Sequence, residues 1–234
     1  VGFAMSMLGF YLSRGLITTA RLRVEKQADA LSLKIDKDII KRQEQSLLKF
    51  KDNSEYLVVC IIDIQDSTLI TSQLSEHETA ELYSTFDKVM NQIILKHGGT
   101  VVKSMGDAIL YYFNASPSPS KDDYMTAIDC CLDMTTANEV LNDSLNHAKT
   151  HHINYRISAV YGSVMSASKN DIQDIFGSTV NRCSKINRYS RTNGVVVSHE
   201  IYELVKNEKA YQLEKAGDNI RSEYGDGVYH ISKV

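Results

Sequence analysis

The sequence predicts an α+β domain on a ferredoxin-like (βαββαβ) sheet, preceded by a long N-terminal helix. Three observations carry this. Residues Tyr56–Ile64 (YLVVCIIDI) form a nearly continuous apolar run rich in β-branched residues, the pattern of a strand buried on both faces. Thr100–Met105 and Ile109–Phe113 read as two strands folded about Gly106-Asp107, a hairpin signature. Helical stretches alternate with these strands in the order βαββαβ, which segregates the helices to one face of the sheet.

The chain opens with Val1–Leu12 (VGFAMSMLGFYL), which carries no charge and is followed by Arg14, Arg21 and Arg23. Twelve helical residues span about 18 Å, short of a hydrocarbon core of about 30 Å. Residues 1–20 therefore read as the cytoplasmic end of a truncated transmembrane helix, or else as a buried or amphipathic helix. From Leu22 to Phe50 there is neither Gly nor Pro. Val24, Ala28, Leu31 and Ile35 alternate at spacings of four and three, a coiled-coil seam. The register then shifts to Ile40, Leu47 and Phe50. Residues 21–53 are expected to form a signalling helix that pairs with its twin in a dimer, or a single helix packed on its own domain. Lys51-Asp52-Asn53-Ser54 reads as the linker into a globular domain over 54–234.

Within that domain a helix is predicted over Ser75–His97, stopped by Gly98-Gly99. The SPSPS stretch Ser116–Ser120 is a loop, and Asp122 or Asp123 caps a helix running to about Lys149. Ile153–Tyr161 alternates partly and reads as a strand. Ser178–Arg191 reads as a helix, Val195–Ser198 as a strand, and a helix starts at His199. Short strands follow near Tyr211 and Tyr229.

A chain 43% hydrophobic and 24% charged has enough apolar mass for a core. The net charge of −3 lacks the basic excess that phosphate contacts demand, so nucleic acid is not the partner. Cys60, Cys130, Cys131 and Cys183 contain no CxxC pair and sit among apolar residues, which reads as reduced, buried thiols. His151 and His152 have no second ligand pair at zinc spacing.

Asp63 interrupts a run that should be wholly apolar, and Asp107 sits at a hairpin tip. Singly, each is ordinary. Together they end neighbouring strands of the predicted sheet, where two carboxylates suit one or two Mg²⁺ ions. Such ions clamp the attacking and leaving oxygens of an in-line phosphoryl displacement.

The stretch Asp63-Ile64-Gln65-Asp66-Ser67-Thr68 resembles the Asp-Ile-x-Gly-Phe/Ser-Thr motif of class III adenylate and guanylate cyclases. Gly98 to Asp107 (GGTVVKSMGD) resembles the second motif of that family, and Asp174 to Asn181 (DIFGSTVN) a third. The three occur in order over roughly Glu55 to Val234. The resemblance implies an adenylate cyclase that converts ATP to 3′,5′-cyclic AMP and pyrophosphate with two Mg²⁺ or Mn²⁺ ions per site. It implies Asp63, Asp107 and the backbone carbonyl of Ile64 as metal ligands. Lys103 and Asp174 match the purine readers. A lysine donates to adenine N1 and an aspartate accepts from the 6-amino group, whereas GTP users of the family typically carry Glu and Cys. Asn181 matches the residue that orients the ribose. The family supplies the two sets from different protomers, which implies a homodimer with two sites. With the N-terminal helix as anchor, the catalytic domain is expected in the cytoplasm at the inner face of the cell membrane.

Three positions depart from the family. Lys185 stands where an arginine usually stabilises the transferring phosphoryl group, and lysine offers a single mobile charge instead of a planar fork. Arg182 and Arg188 flank it but face elsewhere on a helix. Arg221 is the nearest match to a triphosphate-binding lysine. Asp66 stands where glycine is common. These departures suggest a slow enzyme, with a catalytically silent cyclase-homology domain that binds nucleotide and regulates a partner as the alternative.

Overall fold

The computed structural model describes residues 49–147, 152–169, 172–217 and 227–234, and upstream of them Arg23, Lys26, Gln27, Leu31, Lys34, Ile35 and Lys37. Two compact units divide the chain, one of 1–49 with 169–171, the other of 50–168 with 172–234. In the first, the seven upstream residues are helical and exposed. The membrane-anchor expectation for residues 1–20 and most of the coiled-coil seam lie outside the described residues. Among the described residues no helix is long and apolar enough to cross a membrane.

The second unit runs β1 (Lys49–Ile64), α1 (Ser67–Thr71), α2 (Glu76–Lys96), β2 (Thr100–Ser104), β3 (Ala108–Ala115), α3 (Lys121–Thr136), α4 (Asn138–His147), β4 (Tyr155–Lys169), β5 (Ile172–Phe176), α5 (Ser178–Asn187), β6 (Gly194–Ser198), α6 (His199–Val205), β7 (Tyr211–Lys215) and β8 (Val228–Lys233). The sheet order is β2-β3-β1-β4-β6-β8-β7, with β5 paired to β4. Its first four strands, β2-β3-β1-β4, have the ferredoxin-like arrangement that the sequence predicts.

Strand β1 alternates between two cores. Val58, Cys60, Ile62 and Ile64 join a cluster with Leu82, Phe86 and Met90 of α2 and Ile128 of α3. Leu57, Val59 and Ile61 face the other way, onto Cys183 and Ile186 of α5. This explains the continuous apolar run, and it places α5 on the opposite face from α2 and α3. The expectation of helices on one face is therefore corrected. All four cysteines are buried and unpaired.

The α2 start follows from a capping box in which Ser75 N donates to Glu78 at 2.8 Å and Glu78 N donates back to Ser75 Oγ at 3.3 Å. Its buried stripe is Leu82, Phe86, Met90 and Ile94, one residue per turn. The helix predicted to about Lys149 is divided at Ala137 into α3 and α4, and Ser120 is the cap with Asp123 at the third helical position. Strand β1 begins at Lys49, so it includes the stretch that reads as a linker. The partner is β4, which runs on to Lys169 and whose Ser166 donates to Glu55 at 3.3 Å.

Candidate active site

The end of β1 and the β2–β3 turn form one constellation. Asp63 lies opposite Ala108 in the β1–β3 ladder. The next amide, Ile64 N, donates to the Asp107 carbonyl at 2.8 Å, which latches the turn to the strand end. Met105 N donates to Ala108 O at 2.7 Å and closes the turn. Gly106 has φ +85°, a conformation that favours glycine. Ser67 Oγ donates to Asp107 Oδ2 at 2.6 Å and fixes that carboxylate.

Burial pushes the half-buried Asp63 carboxyl up to about 6, the Asp107 charge adds to this, and Arg156 opposes it. Two carboxylates are thus held together without full compensation. They line an open concavity with Ile64, Asp66, Ser67, Thr68, Leu69 and Ser72. Among the described residues no group of three or more His, Cys, Asp or Glu converges on a metal position. The oxygen donors present fit Mg²⁺ or Mn²⁺, which take few protein carboxylates and complete their shells with water and substrate phosphates. Asp66 caps α1 in the left-handed region at φ 55°, which gives a backbone reason for glycine at that position.

The second constellation joins β2 to β5. Lys103 Nζ donates to both carboxylate oxygens of Asp174, at 3.0 and 2.8 Å. The side chains are 43% and 25% exposed, so a ligand can reach them. Asp174 Oδ1 also accepts from Ile175 N at 2.9 Å, which fixes its plane.

Asn181 and Lys185 are exposed and one turn apart on α5. Arg182 points away, donating to Glu200 at 2.7 Å and to the Tyr161 carbonyl at 3.3 Å. Arg188 lies 5.1 Å from the Tyr189 ring centre and donates to the Tyr189 hydroxyl at 3.2 Å. Arg221 lies outside the described residues. None of Lys103, Asp174, Asn181 and Lys185 lines the concavity beside Asp63 and Asp107.

Sequence reasoning missed Arg156. With the Gln65 amide turned to satisfy its neighbours, the Arg156 guanidinium donates to Gln65 Oε1 at 2.8 and 3.2 Å, and Gln65 Nε2 donates to Thr192 at 3.0 Å. Gln65 follows the strand that carries Asp63, and its backbone N–H donates to Asn154 O at 2.8 Å. A lone arginine in INYRISAVY gives no signal until β4 is known to lie beside β1.

A family model described as "Adenylate and Guanylate cyclase catalytic domain" matches residues 51–229. An adenylate cyclase of Streptomyces coelicolor is 27% identical over 161 residues, which is 68% of this chain and 37% of that relative. The adenylyl cyclase CyaB of P. aeruginosa superposes with a TM-score of 0.68 at 22% identity, over 78% of this chain and 96% of that one. The guanylyl cyclase Cya2 gives 0.66 at 19% identity, over 78% and 94%. At these identities the superpositions show the fold, and they include neighbours of both nucleotide preferences.

Proposed function

Because the chain belongs to the adenylate and guanylate cyclase catalytic domain family, we propose that it converts ATP to 3′,5′-cyclic AMP and pyrophosphate as a homodimer. The observation that carries this reading is a chain holding two carboxylates close enough for one charge to act on the other and, separately, a paired lysine and aspartate with adenine-reading chemistry. Since the two sets line different surfaces, a two-fold dimer brings one protomer's carboxylates to its partner's readers. The exposure of Leu31 and Ile35, at 60% and 50%, favours pairing of the N-terminal helices.

Asp63 and Asp107, with the Ile64 carbonyl, would hold two Mg²⁺ or Mn²⁺ ions. When bound, such ions lower the energy of charge on the attacking and leaving oxygens. Lys103 donates to adenine N1 and Asp174 accepts from the 6-amino group. Asn181 orients the ribose so that its 3′ oxygen faces the α-phosphorus. The 3′ hydroxyl loses its proton, a bond forms from that oxygen to the α-phosphorus, and the bond to the bridging oxygen breaks to release pyrophosphate. Lys185 supports the charge on the transferring group, and Arg156 supplies positive charge beside Asp63. Anchoring of residues 1–20 at a membrane belongs to the same proposal.

Product analysis tests it. The protein incubated with ATP or GTP, in Mg²⁺ or Mn²⁺, should give cyclic AMP from ATP, and Asp63→Ala should abolish it. A well-folded dimer that makes no cyclic nucleotide would favour the nucleotide-binding, catalytically silent domain, for which Lys185 is the supporting observation. Lys185→Arg should raise kcat about tenfold, since the planar fork matches phosphate oxygens and a point charge does not.

A further inference from the structure

The residues named so far hold ligands. A different question is what holds Asp107, which sits on a turn and not on a strand. Helix α2 approaches that turn with two side chains one helical turn apart, Tyr83 and Asp87. A Cβ added to Gly106 would stand 3.2 and 3.3 Å from two carbons of the Tyr83 ring, so the ring packs directly against the glycine. Glycine at 106 is thus favoured by its φ of +85°, and a side chain there would crowd the ring. Asp87 takes the preceding limb, accepting from Ser104 Oγ, and is itself braced by Asn91 Nδ2 at 2.8 Å.

Tyr83 reaches further than the turn. It also stands close to the Thr71 side chain at the end of α1. Thr71 in turn donates to the Ser67 carbonyl at 2.9 Å. Ser67 is the residue whose hydroxyl fixes the Asp107 carboxylate. The other side of Tyr83 packs against the apolar cluster under α2.

We propose that Tyr83 is a positioning residue for Asp107, its ring forming the floor on which the Gly106-Asp107 turn rests. It touches no substrate. Its effect passes through Asp107, as outer-sphere groups act on the ligands they orient. The proposal rests on the assignment of Asp107 as a metal ligand, but the floor itself is a property of the chain alone.

The test uses the full chain with Tyr83→Leu, which keeps apolar packing on the core and removes the flat ring, and with Tyr83→Phe, which keeps the ring. Backbone hydrogen exchange is read without metal, and binding of Mn²⁺ alone is read by electron paramagnetic resonance. Tyr83→Leu should exchange about tenfold faster at residues 104–108 than the parent, with β1 and β3 unchanged. It should bind Mn²⁺ about tenfold more weakly, and Tyr83→Phe should match the parent in both readouts. Unchanged exchange at 104–108 in Tyr83→Leu overturns the proposal, as does acceleration spread equally over β1 and β3, which marks general loosening. Neither readout requires turnover. A parent that makes no cyclic nucleotide therefore overturns the cyclase reading and leaves this one to stand or fall by the exchange data.

Discussion

Two of the charged pairs in this chain are built on opposite electrostatic principles. Lys103 and Asp174 are unlike charges, bonded at 2.8 and 3.0 Å, and partly exposed. Each is satisfied as the protein stands. Asp63 and Asp107 are like charges at the joint of β1 and the β2–β3 turn, and burial, with the Asp107 charge adding to it, pushes Asp63 up to about 6. The first pair is complete without a ligand, and on the proposed reading a nucleotide edge would compete with it. The second pair is costly when both carboxylates are charged, and a proton or a cation relieves it. On the proposed reading, the difference teaches that selectivity and metal dependence would reside at different places in this chain and could be altered separately.

Removing one charge from the costly pair should produce the largest effect. Asp63→Asn should lower the cyclisation rate about 10²- to 10³-fold, the scale on which an electrostatic transition-state contact is lost. The same change should make the metal-free protein less sensitive to pH. A buried carboxyl raised from an ordinary value of about 3.9 to about 6 keeps in the folded chain a proton that the unfolded chain has released. Stability therefore falls as pH rises through that window. Melting of the parent in EDTA should drop between about pH 4 and pH 6, and that drop should shrink in Asp63→Asn. Melting curves that share the same pH slope would mean that Asp63 is not shifted in the folded chain.

The satisfied pair is next. Lys103→Glu with Asp174→Cys inverts the donor and acceptor pattern toward guanine, so ATP use should fall about 10²-fold, since a site built to hydrogen-bond rejects a mismatched edge strongly. Mn²⁺ affinity without nucleotide should stay as in the parent. A double variant that uses ATP as the parent does would remove the reader role from both residues. One that loses Mn²⁺ binding as well would show that the two pairs are coupled, against the contrast drawn above.

What the sequence disclosed follows the same division. The apolar run at β1, the hairpin at Gly106-Asp107 and the α2 helix stopped by Gly98-Gly99 are local patterns, and each stands where it was expected. The two constellations could be named from ordered motifs, each of which spans only a few residues. What stayed hidden needs adjacency between distant segments. Arg156 meets the carboxylate end only because β4 lies beside β1, and Tyr83 meets Gly106 only because α2 crosses the hairpin. Strand β5 and the short α1 carry too few residues to show a period. The start of β1 at Lys49 could not be read from KFKDNS, because its pairing comes from the far half of β4 more than 100 residues away.

Asp66 offers the smallest change and the finest test of the contrast. It adds a third carboxylate to the concavity that already holds Asp63 and Asp107, and it does so from a left-handed backbone at φ 55°. Asp66→Gly relieves that conformation but frees the unfolded chain, so the net change in stability should stay within about 1 kcal/mol. Its electrostatic effect should be larger. Removing a negative charge from a wall that faces a triphosphate should lower the KM for ATP about twofold to threefold at low ionic strength, and the gain should fade as salt screens the wall. Asp66→Asn separates the two causes, because asparagine tolerates the left-handed region and carries no charge. If the carboxylate is responsible, both variants share the lower KM and keep the parent's ratio of ATP to GTP use, since the reading pair is untouched. If only Asp66→Gly lowers KM, the backbone is responsible, and the negative charge at that wall stops short of the phosphates.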